Sequence, residues 1–169
     1  MSRFSSRGGA NVVSAPNGVR ATASFTPAAG AYSANDIMDV AQEFVFSFTD
    51  GKAIPEGSLI HVQAAIIRIN VNALQASEAA YELQCYGVTP PSAQADNAAW
   101  TLASGDLAAY LGAIALGTPV DLGEALFIKS SVDVLFKLTE QSMFGQLRTL
   151  AGFTPTAVAR QVELLGTIV

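Results

Sequence analysis

The sequence predicts an all-β chain, an antiparallel β-sandwich or barrel behind an extended N-terminal arm. Three observations carry this. Several short segments alternate apolar and polar side chains with a period of two. Clusters of Gly, Pro and Asp bound them, as at Asp50-Gly51 and Pro90-Pro91. No long stretch of helical periodicity separates one segment from the next. Strands with one buried face, joined by turns rather than crossover helices, build sandwiches and barrels.

Residues 1–20 read as the arm. "MSRFSSRGGANVVSAPNG" is rich in Ser, Gly and Asn and has little periodicity. By itself it is expected to be unstructured, because fixing a backbone costs about 1–2 kcal/mol per residue and few apolar groups offset that. Fully extended, such an arm reaches roughly 65 Å. That is enough to cross a neighbouring subunit, where Phe4, Val12 and Val13 would find pockets.

Residues 21–169 read as one sandwich domain, with strand character beginning in "VRATASF". "EFVFSFTDG" places Phe44, Phe46 and Phe48 on one face and ends in a turn-forming Asp-Gly. "YELQCYGV" sets Tyr81, Leu83 and Cys85 against Glu82, Gln84 and Tyr86. "SVDVLFKL" sets Val132, Val134, Phe136 and Leu138 against Asp133, Leu135 and Lys137. "QVELLGTIV" closes with Val162, Leu164 and Ile168 in phase. The longest segment, "SLIHVQAAIIRINVNAL", changes phase: Ile60, Val62, Ala64 and Ile66 share the even positions, Ile67, Ile69 and Val71 the odd. A strand swaps its buried face only at an inserted residue or a bend, so a β-bulge is expected near Ala65–Ile67.

Helix is scarce. "SGDLAAYLG" predicts one short turn, with Ser104 as N-cap, Asp106 in the first turn and Gly112 as terminator. "FTPTAVAR" allows a second, starting at Pro155. "SANDIMDVAQEF" reads two ways, since Ile37, Val40, Ala41 and Phe44 have helical spacing while "DIMDV" also suits an extended chain. "GVTPPSAQADNAAW" is a loop, because adjacent prolines exclude a central strand.

At 169 residues, half of them hydrophobic and only 14% charged, the chain has fewer charges than a freely soluble monomer usually carries. Such a surface suits a protein covered by copies of itself or by a partner. The charges are also segregated. Residues 1–20 carry Arg3, Arg7 and Arg20 and no acid, whereas the rest carries six basic and fourteen acidic side chains. An acidic body argues against a nucleic-acid partner, which needs a basic patch. The arm, with Arg3, Phe4, Arg7, Val12, Val13 and Arg20, is therefore the candidate interface, docking on an acidic protein surface. The N-terminus lacks the apolar stretch of a signal peptide, and no run is long enough for a membrane span. Synthesis in the cytoplasm and no membrane partner are expected.

Catalytic and metal chemistry find little footing. His61 is the only histidine, out of phase with the apolar set beside it, and reads as a surface or interface residue. No Gly-x-Ser-x-Gly elbow accompanies it. One His and one Cys do not make a zinc site. Cys85 occupies an apolar-phase position and reads as a small buried hydrophobe. The aspartates of "DIMD" and "DNAAWTLASGD" lack a calcium-loop pattern and read as Asx turns and a helix start. No catalytic residue, cofactor or metal is expected. Trp100, Tyr81, Tyr86 and Tyr110 allow one other reading, a stacking platform for sugars.

"FTPAAGAYSANDIM", the pair "GSLIHVQAAIIRI" and "AYELQCYGVTPP", and "ADNAAWTLASGDLAAYLGAIAL" come in an order that resembles the small head decoration, or cement, proteins of tailed bacteriophages. The resemblance spans most of the chain outside the arm, which is longer than the resemblance leads one to expect. It implies a jelly-roll-like sandwich, an extended "DIMDV", and a virion protein on the capsid surface. It further implies a homotrimer that clamps adjacent copies of the major capsid protein. A tail or head–tail joining component and a carbohydrate-binding module are the alternatives.

Overall fold

A computed structural model describes residues 17–90, 92 and 94–169. Ten strands run β1 Gly18–Phe25, β2 Ile37–Val45, β3 Ser47–Phe48, β4 Leu59–Ile69, β5 Tyr81–Tyr86, β6 Tyr110–Gly117, β7 Val120–Asp121, β8 Leu126–Lys137, β9 Ser142–Thr149 and β10 Arg160–Ile168. All pairings are antiparallel. One sheet has the order β3-β1-β10-β4-β8-β7, the other β2-β9-β5-β6. The expected all-β antiparallel sandwich is what the chain forms.

Its topology follows from two strands that change sheet. β3 continues β2 past Phe46, and β7 continues β6 past Gly117, so the chain makes eight passes. Numbered by pass, the sheets read 1-8-3-6 and 2-7-4-5, the interleaved double Greek key of a jelly roll. The crossings also leave only two-residue strands at both edges of the larger sheet, which limits open edge pairing.

The core lies between the sheets and is built by the alternation visible in the sequence. Tyr81, Leu83 and Cys85 of β5 are fully buried there, as are Val162 and Leu164 of β10. Phe25 of β1 and Phe44 of β2 bring their rings to 6.2 Å across the gap. Gly145 of β9 makes room for this: a Cβ there would stand 2.7 Å from both the Phe44 ring and Leu83.

The phase change in β4 is present, but at Gln63 rather than Ala65–Ile67. Pairing with β10 is continuous through Ala64–Ile69 and skips Gln63, between Leu165↔Ala64 and Gly166↔Val62. On β8, Val132 and Asp133 together span the same position. The core accordingly receives Ile60 and Val62 before the break and Ala65, Ile67 and Ile69 after it. Ala64 and Ile66 misled the reading because they are apolar on the outer face. Ile66 stays 5% exposed there, between Glu163 and Lys129 in register, whose aliphatic stems flank it.

Four smaller expectations are revised. Gly18, Val19 and Arg20 belong to β1 rather than to an arm, and Val19 is a core residue. The helical turn at Ser104–Asp106 exists as a single 3₁₀ turn, but Ala103 occupies the cap position and no side chain caps it. Gly112 terminates no helix; it lies in β6 at φ +111°, where Leu111 is an extra residue between the Tyr86↔Tyr110 and Cys85↔Gly112 pairs. Pro155 starts no helix, because the carbonyls of Thr156 and Val158 turn to the buried Arg160 guanidinium. "DIMDV" is extended, with its irregularity between Met38 and Gln42.

Candidate functional site

The registers bring many chain ends to one pole of the sandwich. Gly18 pairs with Thr167, Ile168 with Ile60, and Leu59 with Lys137. In the other sheet Val45 pairs with Ser142, and Tyr86 with Phe144 and Tyr110. Asn17, from which residues 1–16 depart, therefore sits at the same pole as the ends of β2, β5 and β8 and the start of β9. We call it the arm pole.

Three adjoining hollows cross this pole, of about 140, 250 and 370 Å³. The first two share Glu43, Glu140 and Ser142. The second and third share Gly87, Val88 and Thr139. One side of the resulting groove is acidic, with exposed Glu43, Glu56 and Glu140. Ser142 Oγ donates to Glu43 at 2.6 Å and the Gly57 amide donates to the Glu140 carbonyl, so the wall is held in place. None of the three glutamates forms an ion pair among the described residues. The far side is lined by small and apolar groups such as Ala108, Ala109 and Leu111, with Lys137 beside them, its ammonium donating to the Gly57 carbonyl. Around the groove Val45, Leu107 and Val169 stand 55, 64 and 71% exposed.

Of the interface residues expected from sequence, Arg3, Phe4, Arg7, Val12 and Val13 lie outside the described residues. Arg20 lies on the outer face of β1, exposed, in register with Ser47 and Leu165. The groove was not legible in the sequence. Its glutamates are scattered over three segments, and only the registers gather them.

The other candidates occupy different places. His61 points outward from β4 and its Nε2 meets Asp133 Oδ1 of β8 at 2.7 Å, on open surface where the Asp133 side chain is 92% exposed. No hydroxyl hydrogen-bonds to the ring among the described residues, so the pair lacks a nucleophile. Cys85 is buried in the core, and burial pushes its thiol pKa up, opposite to an activated nucleophile. Among the described residues no three His, Cys, Asp or Glu side chains converge on a metal-sized site. No helix among them is long and apolar enough to cross a membrane.

The aromatic platform is only partly assembled. Tyr81 faces the core, edge-on to Phe153 at 6.3 Å. Trp100, Tyr86 and Tyr110 do meet on the outer face of the smaller sheet, but as the underside of the 87–109 loop. The indole N–H donates to the Tyr86 hydroxyl at 3.1 Å, and Arg148 lies 4.7 Å over the indole ring while its guanidinium also donates to Glu82. Burial raises the pKa of Tyr86 and of Tyr110. These contacts clamp a loop to a sheet.

The aspartates likewise tie loops. Asp96 accepts from the Tyr32 hydroxyl at 2.6 Å and from the amides of Ala28 and Asp39. Asp106, 2% exposed, accepts from the Ser92 amide. The segments around Ala28–Asp39 and Asp96–Trp100, distant in sequence, are thus stitched side by side, with Asp36 bridging to Ala99. No known protein-family model and no characterised protein sequence matches this chain.

Proposed function

We propose that this is a structural virion protein that decorates a bacteriophage capsid and stabilises it by binding across neighbouring capsid subunits. The observation that carries the reading is the arm pole. One end of a jelly roll combines the departure of a basic arm with a groove and with exposed Val45, Leu107 and Val169. Apolar side chains that stand free in a single chain, on a surface poor in charge, favour a protein partner over water.

Cementing needs no chemistry. A protein that binds only the assembled shell stabilises it by mass action, by RT ln(1 + [L]/Kd) per site. A homotrimer would add avidity by engaging several capsid subunits at once. Cryo-electron microscopy of capsids from the phage that encodes the chain tests this. Density for the sandwich on the outer shell, arm pole inward at a three-fold position, supports it. Density in the tail or joining region, or none on the particle, removes it.

A further inference from the structure

We infer that the groove of the arm pole is the seat of the chain's own N-terminal segment, residues 3–13. The proposal stands apart from any capsid role, since it concerns the protein by itself.

Charge complementarity is the first ground. Residues 1–16 carry Arg3 and Arg7 and no acid, while the near wall of the groove carries Glu43, Glu56 and Glu140. Guanidinium groups suit such a wall because they bind carboxylates in a two-pronged fork. The second ground is the order of residue types. Going back from Asn17, the segment offers Val13 and Val12, then Gly9 and Gly8, then Arg7, Phe4 and Arg3. The groove offers both an apolar stretch at Ala108, Ala109 and Leu111 and the acidic stretch, joined through Gly87–Thr89.

Reach is the third ground. Asn17 holds the Ile168 amide at 2.9 Å, at the groove's own end of the sandwich. The segment from Arg7 to Asn17 spans up to roughly 33 Å. The gap between packed sheets is about 10 Å and neighbouring strands are about 4.8 Å apart, so the groove is well within range. A tethered segment also faces its site at an effective concentration in the millimolar range, so even a weak groove fills.

The test is photo-cross-linking of the full-length protein carrying a photoreactive phenylalanine analogue at position 4. Expected are cross-links within one polypeptide, mapping to Gly87–Thr89 or Thr139–Ser142. They should fall at least several-fold in the exposed-site variants Glu43→Lys and Glu140→Lys and on raising salt, which screens surface charge. Circular dichroism of the variants confirms that the sandwich is intact. Cross-links mapping elsewhere, or groove cross-links indifferent to charge reversal, overturn the proposal. Groove cross-links that join two chains overturn it in favour of an arm exchanged between copies.

Discussion

Gly166 of β10 packs directly on the backbone carbonyl of His61 in β4, so closely that a Cβ on Gly166 would overlap it and lie 3.0 Å from Val62 Cα. This contact sits at the register break where Gln63 drops out of the ladder, and it lets β4 change its buried face without parting from β10. Gly166→Ala is expected to lower the unfolding free energy by about 2–3 kcal/mol, as overpacking in a tight interior does. Chemical denaturation checks it; a change under about 0.5 kcal/mol, the surface-substitution range, would show that the break does not need glycine.

Arg160 and Glu78 are both fully buried side chains, 3.7 Å apart, and Glu78 also accepts from the Tyr81 hydroxyl and the Gln75 amide. Arg160 in turn donates to the carbonyls of Thr156 and Val158. Removing one member strands the other, so Glu78→Ala should cost about 3–5 kcal/mol. Replacing both by apolar groups, in Glu78→Leu with Arg160→Met, should cost less than Glu78→Ala. Thermal unfolding of the two variants decides.

Alkaline pH should unfold the protein before its acids matter. Burial raises the pKa of the Cys85 thiol and, above all other causes, that of the Tyr81 phenol. Both are protonated in the folded chain at a pH where the unfolded chain has begun to lose those protons. Their stabilising effect is full below about pH 8.5, the unfolded thiol value, and falls as pH rises, by about 1.4 kcal/mol per pH unit for each proton held. The Tyr81 share begins near pH 10. Cys85→Ala should flatten the first part of this decline in a stability-against-pH series; an unchanged slope there refutes the assignment.

The arm and the fold separate at residue 16, not residue 20. Deleting 1–16 removes no residue of any strand and should leave the unfolding midpoint within a degree or two. Deleting 1–20 also removes the buried Val19 and the Gly18–Arg20 rungs to β10 and β3. Losing a core valine and three ladder positions should cost several kcal/mol, on the scale of large core truncations. Equal stability of the two truncations would contradict the strand boundary.

Period-two alternation made most of the fold legible. The inward set of β5, the Phe44–Phe46 run and the Val162–Leu164 pair all lie where alternation puts them. What alternation does not encode is cover from outside. Gln84 and Tyr86 read as solvent-facing, yet each is 1% exposed because the 87–109 loop folds over them with Trp100. Outer-face Ile66 hid the place of the bulge for the same kind of reason. The groove was beyond reading from sequence, since Glu43, Glu56 and Glu140 come together only once β2, β4, β8 and β9 are in register. His61 and Cys85 took the places their phases gave them.

The central claim, that the protein binds and reinforces an assembled shell, is tested most directly by heating capsids of the encoding phage with and without the purified protein while following genome release. A rise in release temperature that grows with protein concentration and saturates, smaller when residues 1–16 are deleted, is the predicted result. Release at the same temperature at every concentration, with the protein left in the supernatant after the capsids are pelleted, would contradict it.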